Sequence, residues 1–246
     1  GTAQAAADEQ ATKWLERVFG LVQDRAFQTD YSVQVSGETE GILVDATLQG
    51  ELLQSGAKHY TNALRMEVKM PAMGETPMEV TSNQVSDGET LWTETYVSAM
   101  GITQVAKISL SELEEILADK QGLEVGQSSM YMDPMSQLEM LVDAFDVSVL
   151  KIAEGEVRLA LSATEATRAQ FAELEDPEIS GVLVVREEDA VPVSINVAIG
   201  TSMTVDMRFE GFELMAPEDV PADAFVYTPE PGVQVMDLGQ MLRAGM

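Results

Sequence analysis

The sequence predicts an α+β fold in which a curved antiparallel sheet forms an unclosed β-barrel, with helices packed on its concave face as a plug or lid. Three observations support this prediction: a helical apolar stripe near the N-terminus, many segments with one apolar face, and two amphipathic helices between them. A large antiparallel sheet curls as it twists. Helices with apolar stripes can cover its apolar face, so we expect an incomplete barrel lidded by helices.

The first element is an N-terminal helix, which we place at residues 8–25. Its apolar residues recur at helical spacing and form a single stripe that has to be buried. They are Trp14, Leu15, Val18, Phe19, Leu21 and Val22.

The segments that follow alternate between apolar and polar residues, which indicates strands of an antiparallel sheet with one wet face. In the clearest case the apolar face carries Tyr60, Leu64, Met66, Val68 and Met70, and the polar face carries Thr61, Arg65, Glu67 and Lys69. Asp87 followed by Gly88 predicts a hairpin turn, because both residue types tolerate positive φ.

A late strand shows a break in this alternation. Its apolar face begins with Met203, Val205, Met207 and Phe209, but Phe212 and Leu214 fall on the opposite parity. One extra residue in a strand shifts the phase by one position. We therefore predict a β-bulge at Gly211, which would return Phe212 and Leu214 to the apolar face.

Two helices at residues 109–146 separate the two groups of strands. Ser111 and Glu114 predict a capping box at the start of the first helix. Asp133 followed by Pro134 predicts the start of the second helix, with the cap and the first-turn proline in their preferred places. We expect these helices to form the lid.

The composition excludes several classes of function. The 246 residues include 42 acidic and 14 basic side chains, for a formal net charge of -28. Nucleic-acid binding requires clustered Lys and Arg, and this charge also disfavours binding to anionic lipid. The chain has no cysteine, which excludes disulfides and thiol catalysis. We expect a monomer that does not bind nucleic acid.

Residues able to carry catalysis are few. His59 is the one histidine, and no Gly-x-Ser-x-Gly motif supplies a nucleophile for it. A zinc site with several histidines is impossible, and the acidic run at residues 173–178 does not match a calcium loop. With so many carboxylates, a pair suited to hydrolysis is uninformative. We therefore expect no enzyme, no cofactor and no metal.

Methionine is abundant, with 15 residues, many of them on predicted apolar faces. Flexible thioethers suit a surface that accepts variable apolar ligands, although methionine also fills irregular cores. In a curved sheet under amphipathic helices, the methionine-rich faces predict an apolar cavity. The residues that we expect to line it are Leu64, Met66, Val68, Met70, Met203, Val205, Met207 and Phe209 from strands, with Met135, Leu138 and Leu141 from the lid.

Two motifs carry a resemblance to a known superfamily. The stretch from Val85 to Trp92, VSDGETLW, resembles the SDG-x-x-LW hairpin of the LolA-like superfamily of lipoprotein carriers. The stretch from Phe225 to Asp237, FVYTPEPGVQVMD, resembles the closing F-x-x-x-P-x-G-V-x-V-x-D element of that superfamily. The N-terminal helix and the mid-chain helices lie in the matching order.

The resemblance implies a single half-barrel domain over residues 1–246 that holds lipid or lipoprotein acyl chains in the periplasm or cell envelope. No signal peptide is visible, so we expect that an export signal has been removed, and a lipid anchor is left open. Members latch the lid with a basic residue, for which Arg65 is the candidate, although an outward direction of its side chain is left open.

Two alternatives stay open at the level of the sequence. One is an envelope sensor or protein-interaction domain with the same fold, a sealed core and an envelope protein as its partner. The other, less favoured, is a hydrolase that uses carboxylates or His59.

Overall fold

The structure is a computed structural model that describes residues 2–39, 42–69, 77–118, 133–170, 178–201 and 203–243. The strands are β1 Ala26–Thr39, β2 Ile42–Ser55, β3 His59–Lys69, β4 Met78–Asp87, β5 Thr90–Val97, β6 Ile102–Ser109, β7 Phe145–Ala153, β8 Glu156–Ala163, β9 Ile179–Arg186, β10 Pro192–Ile199, β11 Met203–Met215 and β12 Val235–Asp237. The helices are α1 Thr2–Asp24, α2 Leu110–Ala118, α3 Pro134–Asp143, α4 Glu165–Gln170 and α5 Leu238–Arg243.

All twelve strands belong to one sheet with the order β12-β6-β5-β4-β3-β2-β1-β11-β10-β9-β8-β7. Neighbouring strands are antiparallel, except that β12 runs parallel to β6. Within the described residues the two outermost strands, β7 and β12, do not pair with each other, so the sheet is not closed. The predicted fold class, an unclosed antiparallel barrel with helices, is confirmed.

The length of α3 shows that the sheet is strongly curved. This helix has ten residues, which corresponds to about 15 Å. It packs against β7. Its N-cap residue Asp133 lies near Tyr60 in β3, because the charge of Asp133 adds to the larger effect of burial in raising the pKa of Tyr60. Strand β3 lies seven strand spacings from β7, about 34 Å in a flat sheet. One short helix can be near both strands only if the sheet curls around it.

The predicted bulge in β11 is confirmed. Gln28 pairs with Glu213 and Asp30 pairs with Glu210, so Thr29 in β1 faces two residues of β11. Gly211 has φ +60°, a backbone conformation that glycine adopts without steric cost. Because of the extra residue, Phe212 returns to the apolar face. Its ring stacks on Phe27, with 4.7 Å between the ring centroids, and meets the edge of Phe209.

The helix starts agree with the sequence in one case and differ in two. Asp133 caps α3, and its carboxylate accepts hydrogen bonds from the backbone N–H groups of Met135 and Ser136. The capping box at Ser111 and Glu114 is wrong: α2 starts at Leu110, directly after β6, and the Ser109 hydroxyl accepts from the Glu112 N–H at 3.2 Å. Helix α1 starts at Thr2 rather than residue 8, because alanine-rich residues form helix without an apolar stripe.

The two motifs that carry the superfamily resemblance meet on the outer face of the sheet. The Trp92 ring lies 5.4 Å from the Tyr227 ring, and the Tyr227 hydroxyl donates a hydrogen bond to Glu94. In the hairpin, Gly88 has φ +92° and the Asp87 carboxylate accepts from two backbone N–H groups. The C-terminal segment is thereby held across β5 by Trp92 and Glu94, and its strand β12 pairs with β6.

No helix in the described residues combines the length and the apolar character needed to cross a membrane. The extent of the domain, residues 1–246, stays a prediction.

Gly20 and Gly211 form a matched pair for testing the bulge. An added Cβ meets no atom within 4 Å at either position, and only Gly211 has a positive φ. We expect Gly211→Ala to lower the free energy of unfolding by about 1–2 kcal/mol through backbone strain. We expect Gly20→Ala, inside α1, to raise it by about 0.5–1 kcal/mol. Urea denaturation measures both, and equal effects of the two substitutions would contradict a strained bulge.

Candidate functional site

One row of directly paired residues crosses eleven strands of the sheet and is apolar at every position. Paired residues of neighbouring strands point to the same face, so the row forms a continuous apolar stripe across the concave face. From one end to the other the row is Ile102, Val97, Val80, Met66, Leu48, Val33, Met207, Ile195, Leu183, Leu159 and Val149. A second row beside it crosses nine strands and holds Met78, Val68, Ala46, Val35, Val205, Val197, Gly181, Leu161 and Val147.

The first row is buried unevenly along its length. On β8 to β11 its members are buried: Met207, Ile195, Leu183 and Leu159. On β1 to β6 five members are half-buried and the last is exposed; we call these six residues the open half: Val33, Leu48, Met66, Val80, Val97 and Ile102. Helices α1 and α3 both pack against β7, where the last member of the row, Val149, is half-buried. The open half is therefore the apolar surface on which a further molecule could be accommodated.

A buried polar layer lies next to the open half, toward the opposite end of the strands. The Tyr31 ring crosses over Gly50, where a Cβ would collide with it, and so reaches from β1 past β2 to β3. There its hydroxyl donates to Asn62 Oδ1 at 2.8 Å, and Asn62 Nδ2 donates to Gln84 Oε1 at 3.2 Å. These bonds satisfy polar groups that would otherwise destabilise the interior. They form a polar patch between the apolar row and the buried apolar residues Phe27, Leu52 and Tyr60.

The N-terminus of α3 lies near this polar layer. Asp133 is buried, and burial raises the pKa of its carboxyl against the opposing effect of hydrogen bonds from Ser136 and Met135. One oxygen accepts from both backbone N–H groups at 3.0 Å, and the other accepts from the Ser136 hydroxyl at 2.6 Å. Burial also raises the pKa of Tyr31. A capped helix end thus brings a carboxylate into the buried interior.

The structure distributes the sequence-predicted cavity residues over two environments. Five are buried in the packed core: Leu64, Met207, Phe209, Met135 and Leu138. Five are half-buried: Met66, Val68, Met203, Val205 and Leu141. Met70 lies outside the described residues. Met66 belongs to the open half, and Val68 and Val205 belong to the second row.

Most of the open half was missed by sequence reasoning. Val33 and Leu48 lie in alternating segments whose pairing is not visible in the sequence, and Val80 is followed by the polar run TSNQ. Val97 and Ile102 flank a turn and were not assigned to a face. The available signal was hairpin geometry, since a four-residue connection between Val97 and Ile102 places these two side chains opposite each other.

The outer face of the sheet carries an open trough of about 690 Å³ with a different chemistry. Its lining includes four carboxylates and one guanidinium, with amide and hydroxyl groups between them. These charged residues are Asp30, Glu51, Glu94, Glu210 and Arg65. Among the described residues, no group of three or more acidic, histidine or cysteine side chains is placed to hold a metal ion.

Two residues that the sequence singled out have local roles on the surface. Arg65 points outward and forms ion pairs with Glu67 at 3.1 Å and Glu79 at 3.2 Å. It is therefore not the latch between sheet and lid, and that assignment is wrong. His59 is exposed, and its ring lies 5.7 Å from the Phe225 ring and against Gly88, so it contributes to packing of the C-terminal segment.

Comparison with known proteins gives distant structural neighbours. No protein-family profile and no curated protein sequence matches the chain. The chain is similar to proteins of the LolA superfamily. A LolA superfamily protein from Nitrosomonas europaea has a TM-score of 0.30 and 13% identity over 88% of this chain and 97% of that chain. The lipoprotein LppX of Mycobacterium tuberculosis has a TM-score of 0.37 and 11% identity over 90% of this chain and 99% of that chain.

MucB, in its complex with MucA(peri), has a TM-score of 0.32 and 16% identity over 89% of this chain, which spans 62% of the MucB chain. Superpositions at such TM-scores transfer neither a ligand nor a partner, so the fold assignment rests on the strand order and curvature described above.

The buried carboxyl of Asp133 gives a prediction about pH. The pKa of this carboxyl is higher in the folded chain than in the unfolded chain, where it has the ordinary value of about 3.9. As pH rises above that value, the unfolded chain loses the proton more readily than the folded chain, so the free energy of unfolding decreases. Asp133→Asn keeps an oxygen for both N–H groups and removes the charge. We expect this variant to exceed the wild type in free energy of unfolding at pH 7, by a margin that shrinks toward pH 4.

Asp133→Ala serves as the comparison, because it removes both the charge and the cap. Relative to Asp133→Asn, which also lacks the charge, we expect Asp133→Ala to cost about 1–2 kcal/mol at either pH through the lost helix cap. Urea denaturation at pH 7 and pH 4 measures all three proteins. If the difference in free energy of unfolding between Asp133→Asn and the wild type does not change with pH, folding does not raise the pKa of Asp133, and the prediction is contradicted.

Proposed function

We propose that the chain is a non-enzymatic carrier of the cell envelope, which holds an acyl chain of a lipid or lipoprotein against the open half of the concave face. The observation that supports this most directly is the uneven burial of the eleven-strand apolar row. Apolar residues that fold onto the concave side of a sheet are ordinarily filled over by the protein itself, as they are on β8 to β11.

The dimensions of the open half suit an acyl chain. Its six residues span five strand spacings, about 24 Å. The hydrocarbon core of a bilayer is about 30 Å thick, so one leaflet contributes about 15 Å of chain. Each methylene that leaves water for this surface contributes about 0.8 kcal/mol. Burying ten methylenes would therefore provide about 8 kcal/mol before the cost of ordering the chain.

The described polar groups support binding rather than catalysis. The buried Asp133 carboxylate is used as a helix cap, and His59 is exposed and packed beside an aromatic ring. The polar layer of Tyr31, Asn62 and Gln84 is internally hydrogen-bonded. On this proposal these groups position α3 over the sheet, and movement of that helix regulates access to the apolar surface.

Location and partners follow from the same proposal. An acyl-chain carrier is useful where lipids or lipoproteins cross an aqueous compartment, so we place the chain in the periplasm or cell envelope, as a monomer. The net charge of -28 favours a basic receptor protein over an acidic one and opposes contact with nucleic acid.

A protein-interaction role is the second candidate, and the edge of the sheet favours it. β7 is an outermost strand, and Leu150 and Ile152 on it are exposed. An outer strand with apolar side chains can pair with a strand of another protein. In this case the open half would be sealed core, and the chain would bind no lipid.

Val80→Phe distinguishes the two candidates. Val80 is half-buried in the open half, and Thr81 is its neighbour on the outer face. If the open half accepts acyl chains, the larger ring displaces about two methylenes, and affinity for a fluorescent fatty acid falls about tenfold. We expect the melting temperature of the protein to change little.

Thr81→Phe is the matched control, because it adds a ring one residue away on the opposite face. We expect it to leave fatty-acid binding unchanged. A marked loss of thermal stability in Val80→Phe, together with no fatty-acid binding by the wild type, would favour the sealed protein-interaction domain.

A further inference from the structure

Exposed apolar side chains gather at the end of the sheet where the open half lies. In an antiparallel sheet the turns β1–β2, β5–β6 and β10–β11 are at the same end. At this end Met100 is 63% exposed and Ile102 43% exposed, and Leu43 and Tyr96 are exposed as well. Soluble surfaces rarely expose several large apolar residues together without a function. Met100 lies in the β5–β6 turn, and Tyr96 and Ile102 lie on the two strands beside it.

The β5–β6 turn is a narrow, well-defined tip. The N–H groups of Met100 and Gly101 both donate to the Val97 carbonyl, at 3.1 Å and 2.9 Å. Gly101 has φ +64°, which closes the turn tightly. Met100 therefore lies at the apex of a hairpin, in a position where its side chain could insert into an apolar phase such as a lipid layer.

The tip is uncharged in a chain that is otherwise strongly acidic. Residues 97–106, VSAMGITQVA, contain no acidic or basic side chain, although the whole chain has 42 acidic residues. Residues 195–205, which include the β10–β11 turn at the same end, are also uncharged. On the β1–β2 turn, Glu38 pairs across from Leu43, which confines an apolar contact to the β5–β6 side.

The tip is continuous with the open half. Val97 and Ile102 pair with each other at the base of the turn and are also the last two residues of the apolar row. An acyl chain that leaves an apolar phase beside Met100 can therefore move onto Ile102, Val97 and Val80 without crossing water. This continuity is what a contact surface for lipid transfer requires.

We propose that the β5–β6 tip, with Met100 at its apex and Ile102 and Tyr96 at its sides, docks on the surface of a zwitterionic lipid bilayer. This proposal rests on the proposed function, since it names the surface from which the open half receives its acyl chain. Tyrosine rings prefer the headgroup level, where one end is apolar and the other is wet. The net charge of -28 repels anionic lipids, so the bilayer surface has to be uncharged overall.

The absence of cysteine allows a site-specific test. Met100→Cys and Leu150→Cys each introduce the single cysteine of the chain, and an environment-sensitive fluorophore is attached to it. Leu150 is 61% exposed on β7, so it matches Met100 in exposure but lies away from the tip. On adding phosphatidylcholine vesicles, we expect a blue shift and brightening of the label at residue 100 and none at residue 150.

A matched pair of double variants tests the contribution of the side chains. Met100→Ser with Ile102→Ser removes residues that are 63% and 43% exposed, and Leu150→Ser with Ile152→Ser removes residues that are 61% and 40% exposed. In vesicle flotation we expect the first pair to weaken binding about tenfold and the second to leave it unchanged. Vesicles of phosphatidylglycerol should bind the wild type more weakly than phosphatidylcholine, with the difference reduced by salt.

Equal responses of the two labels, equal flotation of the two double variants, or no vesicle binding by the wild type would overturn docking through this tip. Uptake of a fluorescent fatty acid by the wild type in vesicle-free buffer is measured in parallel. Uptake without vesicle docking rejects the tip and leaves the proposed carrier function standing. Docking without uptake rejects the carrier function and leaves a membrane-binding hairpin.

Discussion

The register of the sheet is the constraint on which the rest of this structure depends. Side chains of a strand alternate between the two faces, so a slip of one residue in any pair would move apolar side chains into water. Here eleven strands keep the same phase, and one apolar residue from each contributes to a single row. The bulge at Gly211 is part of that constraint, because it restores the phase of β11 after Phe209 and lets Phe212 stack on Phe27.

Uneven covering of this row turns a structural feature into a candidate site. The row is buried on β8 to β11, next to the strand β7 against which helices α1 and α3 pack. The open half on β1 to β6 is half-buried, with Ile102 exposed. The polar layer has a different role, which is to fix the position of α3. Tyr31, Asn62 and Gln84 satisfy one another beneath the N-terminus of α3, so the helix has a defined place to pack without filling the whole concave face. The proposed carrier function requires both a stable fold and an unfilled apolar surface, and these two regions would provide them separately.

The fold class was predictable because apolar and polar residues alternate in many segments along the chain. The bulge, the Asp133 cap and the hairpin at Gly88 were predictable because each depends on local chemistry at a few adjacent positions. The cap at Ser109 was not predictable from the sequence, because Ser111 with Glu114 fits the same capping rule and only the position at which β6 ends decides between the two serines. The cavity residues were harder still. Met66 and Leu64 look alike as alternating residues of β3, but Leu64 is buried and Met66 belongs to the open half. Which residues are covered depends on where the helices pack, and this is a property of the tertiary structure. Contact between Trp92 and Tyr227, 135 residues apart, is of the same kind.

Methionine methyl groups offer the most direct test of the central claim, because Met66 and Met78 lie on the two apolar rows and Met135 lies in the packed core. The measurement is a ¹³C-methyl NMR spectrum of the protein with a spin-labelled fatty acid, compared with the same sample after chemical reduction of the label. An acyl chain on the open half should broaden the Met66 and Met78 signals most strongly and the Met135 signal least. Unbroadened Met66 and Met78 signals at a fatty-acid concentration well above that of the protein would contradict the account.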